Sequence, residues 1–459
     1  MTDLQELAAE AYVYGFPMVS NLDEVDRFTR KGMASVAPAP FNEFSHGGKL
    51  AGPSDSFVTV NNDTLYSLAQ IDLSGGPLLL TVPDTAGRYY VLQFVDAWTN
   101  NFAYVGRRAT GTGAASFLLT PPGWDELVPA GATRISVPTM VATIVGRWAC
   151  AGPDDVAAVR ELQEDTLLEP YWTASGEPLG LPTHAYTPDG DPELLFFEKL
   201  RARMAAFPPA APEVAYQQRF APLGLLDPQS PYGQAAPELV EALRAGFAAG
   251  KERVEHATTH GGDHGGDHAG SSEQNGWQLA YHAFDYNADH FEVGTLKDPQ
   301  WICRDRELAH TMRAAAARAD LWGNHGYEAA HAMTWNDDEG EPLDGSRSYT
   351  LRFEKVPPVD AFWSVTMYDV PDYHLVENPV DRYSIGDRTP GLAYGDDGSL
   401  TLRLQARRPA DDKTAANWLP TPEGPFRPVV RMYTPRAAVF DGTYQLPPVR
   451  RDREGGAVS

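Results

Sequence analysis

The chain has 459 residues, of which 37 are Lys or Arg and 62 are Asp or Glu, so its formal net charge at pH 7 is −25. This acidic balance argues against nucleic acid and anionic membrane surfaces as partners, because both are bound by clustered Lys and Arg. With 42% hydrophobic residues, two cysteines and no apolar run of membrane-spanning length, the composition predicts a globular protein without a disulfide framework or a transmembrane helix.

The first predicted element is a helix that begins at Asp3. Apolar residues recur there at helical spacing, and Pro17 disfavours helix at the residue before it, so we expect the helix to end near residues 15–17. The same segment has neither the basic start nor the apolar run of a secretory signal. We therefore expect a cytoplasmic protein.

Short apolar runs punctuated by Gly, Pro, Asn and Asp follow from about residue 56. The predicted strands are residues 57–60, 65–71, 78–82, 88–94, 116–120 and 142–147. Regular turn signals between short β-branched and aromatic runs favour a sandwich or a barrel. We therefore predict that residues 1–150 form an N-terminal helix plus a β-sandwich domain.

Residues 151–345 read as a mostly helical connecting region, with a His/Gly/Asp loop at 256–272. Its predicted helices include residues 192–206, 237–256 and 304–317. Strands resume after it, at residues 348–354, 361–368, 400–405 and 429–433, and predict a C-terminal β-sandwich domain over 346–459. The predicted fold class is mainly β with a helical middle, α+β overall, with two sandwich or jelly-roll-like domains.

The two β-regions share a recurring sequence pattern, the sequence echo. Arg88–Asp96 aligns with Ala361–Asp369, and each segment is followed by a Tyr and then a Gly-x-Arg that ends at Arg108 or Arg388. We interpret this as two domains of related topology. The alternative is that unrelated hairpins share aromatic residues and a final Asp.

Asn62, Asp63 and Tyr66 belong to the densest polar motif in a β setting. Asn and Asp bond their own backbone and form turns, so a purely structural turn explains the first two residues. It does not explain amides, a carboxylate and a phenol within a few residues beside a strand. The competing interpretation is that these side chains line a functional site.

Gln93, Asp96 and Asn101 form a second polar cluster at a strand end, where scaffolds place binding groups. Asp63 and Asp96 could form a carboxylate pair for acid/base chemistry or for a hard metal, or they could cap separate turns. Arg147 ends an apolar strand and either clamps an anionic ligand or pairs with one of these carboxylates.

Histidines recur every fourth residue in the His/Gly/Asp tract, and His260, His264 and His268 are the candidate metal ligands. The intervening glycines oppose a helix, at about 1 kcal/mol each relative to Ala, so we expect a flexible loop. Such a loop is either an insertion with incidental metal affinity or a purposeful site.

Two further observations bear on ligands. Trp418 is either an exposed stacking surface for a sugar or ring, or a plug at the end of a sandwich.

The chain lacks a nucleophile-elbow serine motif, a dinucleotide fingerprint and a Walker loop. We therefore expect no organic cofactor, while a divalent metal of unknown identity stays open.

The chain resembles a bacterial family that pairs two domains of unknown function, numbered twelve fifty-four (N-terminal) and twelve fourteen (C-terminal). The resemblance rests on the following segments: Ala11–Pro17, Asn62–Ser67, Gly87–Tyr90, Gly146–Arg147, Ala361–Thr366, Asn378–Pro379, Arg382–Ser384, Asp397–Ser399 and Asn417–Pro420. It implies two sandwich or jelly-roll-like domains and no agreed reaction.

The leading hypothesis is an enzyme that acts on a small organic molecule by acid/base chemistry without a redox cofactor, as a hydrolase, lyase or isomerase. Asp63 or Asp96 would be the general base, while Asn62, Tyr66 and Gln93 orient the substrate and Arg147 holds an anionic group. The alternative is a non-catalytic β-sandwich protein that binds carbohydrate or another small ligand. The sequence leaves a homo-oligomer open.

Overall fold

The computed structural model describes residues 3–55, 59–171, 176–184, 190–260 and 272–452. The helices are α1 (Asp3–Lys31), α2 (Val156–Glu164), α3 (Pro192–Ala206), α4 (Val214–Gln218), α5 (Pro237–His260), α6 (Arg306–Ala319), α7 (Asp412–Ala416) and α8 (Ala437–Phe440). None of these described helices is long and apolar enough to cross a membrane.

The described strands range from three residues, as in β1, to nine residues, as in β2 and β8. They are β1 (Phe44–His46), β2 (Thr64–Asp72), β3 (Leu78–Val82), β4 (Tyr90–Asp96), β5 (Asn101–Gly106), β6 (Ala115–Thr120), β7 (Ala132–Ser136), β8 (Val141–Ala149), β9 (Leu167–Pro170), β10 (Ser272–Gln274), β11 (Trp277–Leu279), β12 (Ala329–Met333), β13 (Tyr349–Phe353), β14 (Trp363–Asp369), β15 (Ser384–Gly386), β16 (Leu400–Gln405), β17 (Trp418–Pro420), β18 (Phe426–Tyr433) and β19 (Val449–Arg451).

The N-terminal half is a β-sandwich. One sheet has the strand order β1-β2-β8-β4-β5 and the other has the order β7-β6-β3-β9. Alternate residues of β2 and β8, such as Leu65 and Ile144, point into a core shared with Leu80 of the facing sheet. The opposite face of β2 and β8 meets the helices, where Leu68 and Val145 pack.

The C-terminal half is a second β-sandwich. Its sheets have the orders β10-β11-β12-β18-β14-β15 and β17-β16-β13-β19. In β16, Leu400, Leu402 and Leu404 are buried while the residues between them are partly exposed, as expected for a strand with one buried face.

The two sandwiches have the same topology. β11-β12-β18-β14-β15 repeats the order β1-β2-β8-β4-β5, and β17-β16-β13-β19 repeats β7-β6-β3-β9. The match includes an unusual detail, because β6–β7 and β16–β17 are the parallel pairs in otherwise antiparallel sheets. The predicted mixed α+β fold with two related sandwiches is therefore confirmed.

The structure moves several predicted boundaries. α1 continues through Pro17 to Lys31, because its buried stripe, with Met18, Leu22 and Phe28, packs against α3 and α5 beyond the proline. The middle region predicted as mostly helical also contains β9 to β12, which complete the two sandwiches. Part of the strand predicted at 57–60 lies outside the described residues, and Thr59 and Val60 are not in a strand.

The two sandwiches contact each other through an apolar cluster with members from both halves. Tyr89, Val91 and Tyr104 come from the N-terminal half, and they pack with Tyr327 and Tyr433 from the C-terminal half. The sheet β1-β2-β8-β4-β5 and the sheet around β12 and β18 therefore turn their outer faces toward each other.

Candidate functional site

Four side chains from matching places in the two halves meet at this interface. Tyr66 of β2 lies directly opposite Arg147 of β8, and His331 of β12 lies directly opposite Arg431 of β18. All four side chains line one cavity between the sandwiches.

The positions of the two arginines are equivalent by strand register. In the N-terminal half, Tyr90 of β4 pairs with the residue after Arg147. In the C-terminal half, Trp363 of β14 pairs with the residue after Arg431. Because Tyr90 and Trp363 are matched in the sequence echo, Arg147 and Arg431 hold the same place in the duplicated fold.

The cavity consists of two adjoining chambers. The inner chamber, of about 610 Å³, lies between the sandwiches, and the outer chamber, of about 750 Å³, lies among α1, α3, α5 and α6. Both chambers share the wall residues Val60, Tyr66, Arg147, Ala319 and Asp320. Volumes of this size accommodate small organic molecules.

Asp320 follows the last residue of α6 and lies at the junction of the chambers. Its side chain is closely surrounded by protein atoms, yet the residue keeps an exposed surface, and it lines both chambers. Burial raises the pKa of Asp320 from 3.8 to about 6, and the nearby charges of Arg147 and Arg431 oppose that rise. Among the described residues, none hydrogen bonds with its carboxylate.

His331 faces the inner chamber from β12. Burial lowers the pKa of its imidazole from 6.5 to about 3, and the positive charges of Arg431 and Arg147 lower it further. The ring is therefore neutral near pH 7. In the described part of the chain, no residue hydrogen bonds with the imidazole, so both ring nitrogens are available to a ligand.

Arg147 is held in place by neutral oxygens. Its Nη1 donates to Gln93 Oε1 at 2.8 Å, and its Nη2 donates to the Trp322 carbonyl at 2.8 Å. Gln93 Nε2 in turn donates to Asn101 Oδ1 at 2.6 Å and to the Gly323 carbonyl at 2.7 Å. Gln93 and Asn101 thus support Arg147 from behind the cavity wall, and a binding role for either residue stays a prediction.

Tyr66 presents a phenol beside Arg147. Asn61 Nδ2 donates to Tyr66 Oη in a short hydrogen bond, so the phenol proton is left to donate elsewhere. The Arg147 guanidinium carbon lies 5.6 Å from the centre of the Tyr66 ring. The predicted site residues Tyr66 and Arg147 are therefore brought together on one wall.

The two chambers differ in how their charges are paired. In the outer chamber, Lys199 forms an ion pair with Asp23 and Arg27 forms one with Glu24. In the inner chamber, Arg147, Arg427 and Arg431 form no ion pair within 4.0 Å with any carboxylate of the described ranges. An acidic protein thus encloses a positively charged inner chamber.

Asp63 has a different environment from the one expected of a base. Its Oδ2 accepts from Ser364 Oγ at 2.6 Å and from Tyr433 Oη at 3.3 Å, and Arg388 lies 4.0 Å from its Oδ1. All three partners belong to the C-terminal half, and Asp63 is buried. It joins the two halves, and it lies behind the cavity wall formed by Tyr433.

A matching contact runs in the opposite direction, from an arginine of the N-terminal half to an acid of the C-terminal half. Glu328, which precedes β12 as Asp63 precedes β2, is buried and pairs with Arg108 at 2.6 Å. Tyr89 Oη also donates to Glu328 Oε1 at 2.9 Å. Arg108 and Arg388 are matched in the sequence echo, so each half sends one arginine to an acid of the other half.

Asp96 caps a turn. Its carboxylate accepts from the backbone N–H groups of Trp98 and Asn100 and from Asn100 Nδ2, at 2.8–2.9 Å. Asp96 pairs with Ala142 at one end of β8, whereas Thr64, the neighbour of Asp63, pairs with Ala149 at the other end. Seven residues of strand span roughly 23 Å, so the proposed carboxylate pair does not form. A catalytic role for either residue alone stays a prediction.

The other predicted binding residues are also structural in their contacts. Asn62 Nδ2 donates to the Ala51 carbonyl, and Asn101 Nδ2 donates to the Gly323 carbonyl at 3.0 Å. Trp418 is buried, and its Nε1 donates to the Gln405 carbonyl at 2.7 Å, so it fills the end of the sandwich.

Most of the histidines predicted as metal ligands lie outside the described residues. His264 and His268 lie outside the described residues, and the side chain of His260 is not described either. Within the described ranges, no group of three or more His, Cys, Asp or Glu side chains could hold a metal ion. A metal site in the His/Gly/Asp tract stays a prediction.

The sequence interpretation missed Asp320, His331, Arg431 and also Arg427, which lines the inner chamber. Arg431 carried a signal, because Val145-Gly-Arg147 and Val429-Val-Arg431 share a pattern at the matched strands. Asp320 and His331 carried none, since a lone Asp after a helix and a lone His in a strand are ordinary. Their importance comes from the enclosure that the tertiary structure creates.

Comparisons with known proteins agree with this architecture. Residues 41–170 match a family described as a protein of unknown function (DUF1254), and residues 328–437 match a second family so described (DUF1214). No curated protein is significantly similar to the chain.

Solved structures give a fold but no activity. The crystal structure of a Vibrio parahaemolyticus protein has a TM-score of 0.72 and 23% identity, covering 98% of this chain and 100% of the other. An uncharacterised protein from Burkholderia cenocepacia has a TM-score of 0.43 and 12% identity, over 96% of this chain and 87% of the other. The first of these likenesses shows a shared fold along nearly the whole chain.

Proposed function

We propose that this chain, which carries the domains DUF1254 and DUF1214, is an enzyme that moves a proton on a small organic anion without an organic cofactor. The observation that carries the proposal is the Asp320 carboxylate, whose raised pKa of about 6 accompanies a place between two chambers beside two arginines. A carboxylate with such a pKa accepts and returns a proton near neutral pH.

The charges of the inner chamber support an anionic substrate. A substrate carboxylate next to Arg147 and Arg431 would form charge-assisted hydrogen bonds with their guanidinium groups. The remaining wall is mostly apolar, with Ala283, Phe284 and Met312 among its residues. The substrate class is therefore an organic acid with an apolar or unsaturated body.

Asp320 would accept a proton from the carbon next to the anionic group. The electron pair of the broken C–H bond would then spread into the carboxylate, where the two guanidinium groups stabilise the added negative charge. Return of a proton to another carbon completes an isomerisation, and departure of a leaving group completes an elimination. These two classes fit the site better than hydrolysis.

Two neighbouring groups could deliver the returning proton. The Tyr66 phenol keeps its proton for the ligand, because its oxygen already accepts from Asn61. The neutral His331 imidazole carries one N–H and one acceptor nitrogen. In this proposal, Tyr66 on one wall and His331 on the other are the proton donors, and Asp320 at the junction of the chambers is the base.

The test uses the full chain with a panel of hydroxy and unsaturated carboxylic acids in deuterated water, followed by NMR and mass spectrometry. We expect deuterium incorporation or a product with one class of acid, and a rate that rises with pH through about 6 and then levels. Asp320→Asn should lower this rate by about 100-fold or more.

The matched control is Asp412→Asn, which removes an exposed carboxylate far from the cavity and should keep the wild-type rate. Saturable binding of the acids without exchange or product would contradict the proposal and would favour the non-catalytic binding protein. If Asp320→Asn reacts at the wild-type rate, Asp320 is not the base of the reaction.

A further inference from the structure

Two buried arginines of β18 converge on one residue of the N-terminal half. Arg431 Nη2 donates to the Thr59 carbonyl at 2.7 Å, and Arg427 Nη2 donates to Thr59 Oγ1 in a short hydrogen bond. The two residues lie on the same face of the strand, with Cα atoms roughly 13 Å apart. Their long side chains therefore bring two positive charges together at Thr59.

Both guanidinium groups retain donors without acceptors. Arg427 Nε and Arg431 Nη1 are buried and have no hydrogen-bond partner among the residues that the structure describes. Asp63 interacts electrostatically with Arg431 but lies beyond ion-pair distance from it. No described carboxylate has such an interaction with Arg427. Buried arginines in folded proteins are normally paired with an anion, so this arrangement is incomplete without one.

The surroundings hold the two groups in position. The guanidinium carbon of Arg427 lies 3.9 Å from the centre of the Tyr373 ring and 5.3 Å from that of Trp335. Thr59 has a φ of 57°, which is unfavourable for a β-branched residue, and its N–H donates to the Tyr373 carbonyl at 2.9 Å. The geometry is thus maintained by contacts that do not neutralise either charge.

We propose that Arg427 and Arg431 form an oxyanion subsite, which binds a second carboxylate or phosphate group of the substrate, with Arg431 lying between this group and the reacting end at Asp320 and Arg147. This inference rests on the proposed function and makes it more specific, because the substrate then carries two anionic groups. Two guanidinium groups that retain N–H donors suit an oxyanion with two or three acceptor oxygens.

The chain supplies a comparison within itself. Arg427 pairs with Tyr368 of β14, and the matching pair in the N-terminal half is Thr143 with Val95 of β4. Thr143 carries no charge, and its hydroxyl donates to Gln70 at 2.7 Å. The subsite therefore exists on one wall alone, and it gives the cavity a direction along which a dianion can align.

The experiment measures thermal unfolding of the full chain in increasing inorganic phosphate or succinate, with sodium chloride at matched ionic strength as the reference. We expect a saturable rise of the Tm with one of the two probes, because a ligand that binds the folded state stabilises it. Phosphate as the effective probe identifies a phosphate subsite, and succinate identifies a carboxylate subsite.

Arg427→Gln should remove the saturable rise, and Arg427→Lys should weaken it, because lysine keeps the charge without the planar fork. The matched control Arg436→Gln removes an exposed arginine paired with Asp360 and should keep the rise. No saturable rise in the wild-type protein with either probe overturns the subsite, and this measurement does not depend on whether a variant folds.

Asp320→Asn separates the subsite from the proposed function. It should keep the probe-dependent rise of the Tm while losing proton exchange. If the wild-type protein shows the rise but never catalyses exchange, the proposed function fails and the subsite stands. If exchange depends on Asp320 but no probe stabilises the protein, the subsite fails and the proposed function stands.

Discussion

The walls of the cavity come from the same strands of two copies of one fold, yet they carry different groups. The N-terminal wall has Tyr66 opposite Arg147, and the C-terminal wall has His331 opposite Arg431. Each wall keeps its arginine, while the residue opposite has changed from a phenol to an imidazole or the reverse. Duplication accounts for the pair of cations, and divergence accounts for the different side chains opposite them.

The same comparison applies to the contacts that join the halves. Arg108 reaches Glu328 across the interface, and Arg388 reaches toward Asp63 in the opposite direction. The first ion pair is closer, at 2.6 Å against 4.0 Å, and more deeply buried. We therefore expect the two halves to contribute unequally to the stability of their common interface.

The largest expected effect is that of Glu328→Ala. The substitution leaves the half-buried Arg108 without its ion-pair partner and removes the acceptor of the buried Tyr89, so the free energy of unfolding should fall by about 3 kcal/mol. Urea denaturation followed by tryptophan fluorescence measures the change. The exposed Glu354→Ala is the control, and an equal, small loss in both variants would mean that this contact does not stabilise the interface.

Asp63→Asn should have a smaller effect, about 1–3 kcal/mol. The amide keeps the size of the side chain and one acceptor oxygen for Ser364. Arg388 also retains its bond to the Asp63 carbonyl at 3.1 Å and its stacking on Phe362 at 3.6 Å. A loss as large as that in Glu328→Ala would show that the two contacts are energetically equivalent despite their different geometry.

The third prediction, whose effect is smallest near neutral pH, is a pH dependence that distinguishes the walls. Because the folded protein lowers the pKa of His331 from 6.5 to about 3, the unfolded chain binds the proton more readily between these values. Stability contributed by the neutral ring is therefore present above pH 6.5 and is lost as the pH falls toward 3.

His331→Gln should remove this loss, so the variant should lose less stability than the wild-type protein on acidification. Tm values measured at intervals across that pH range provide the comparison. The conservative Tyr66→Phe, at the matching position, should follow the wild-type pH dependence. Parallel Tm curves for wild type and His331→Gln would contradict a lowered pKa of His331 in the folded protein.

Much of the fold could be predicted because it depends on local patterns. β16 alternates leucines with polar residues, and the helix at Pro192–Ala206 has the predicted bounds. The sequence echo between Arg88–Asp96 and Ala361–Asp369 correctly indicated a repeated topology. The prediction failed at Pro17, where packing of the following turns outweighs the local cost of a proline.

The site was less predictable because it depends on enclosure. Tyr66 and Arg147 were found from the polar residues that interrupt apolar strands, and both line the cavity. Asp63 and Asp96 looked equally suitable in sequence, but the fold directs their oxygens to turns and to the other half. Asp320 is ordinary in sequence, and only the assembly of helices and both sheets around it changes its acidity.

The crossed contacts of Arg108 and Arg388 have a consequence for the history of the molecule. Two identical copies of one ancestral sandwich, related by a twofold axis, would have formed each of these contacts twice and would have enclosed a cavity between two equal arginines. When both copies belong to one chain, a substitution in one wall leaves the other wall unchanged. The present molecule is organised as two copies of one sandwich fold around a chamber whose two walls differ.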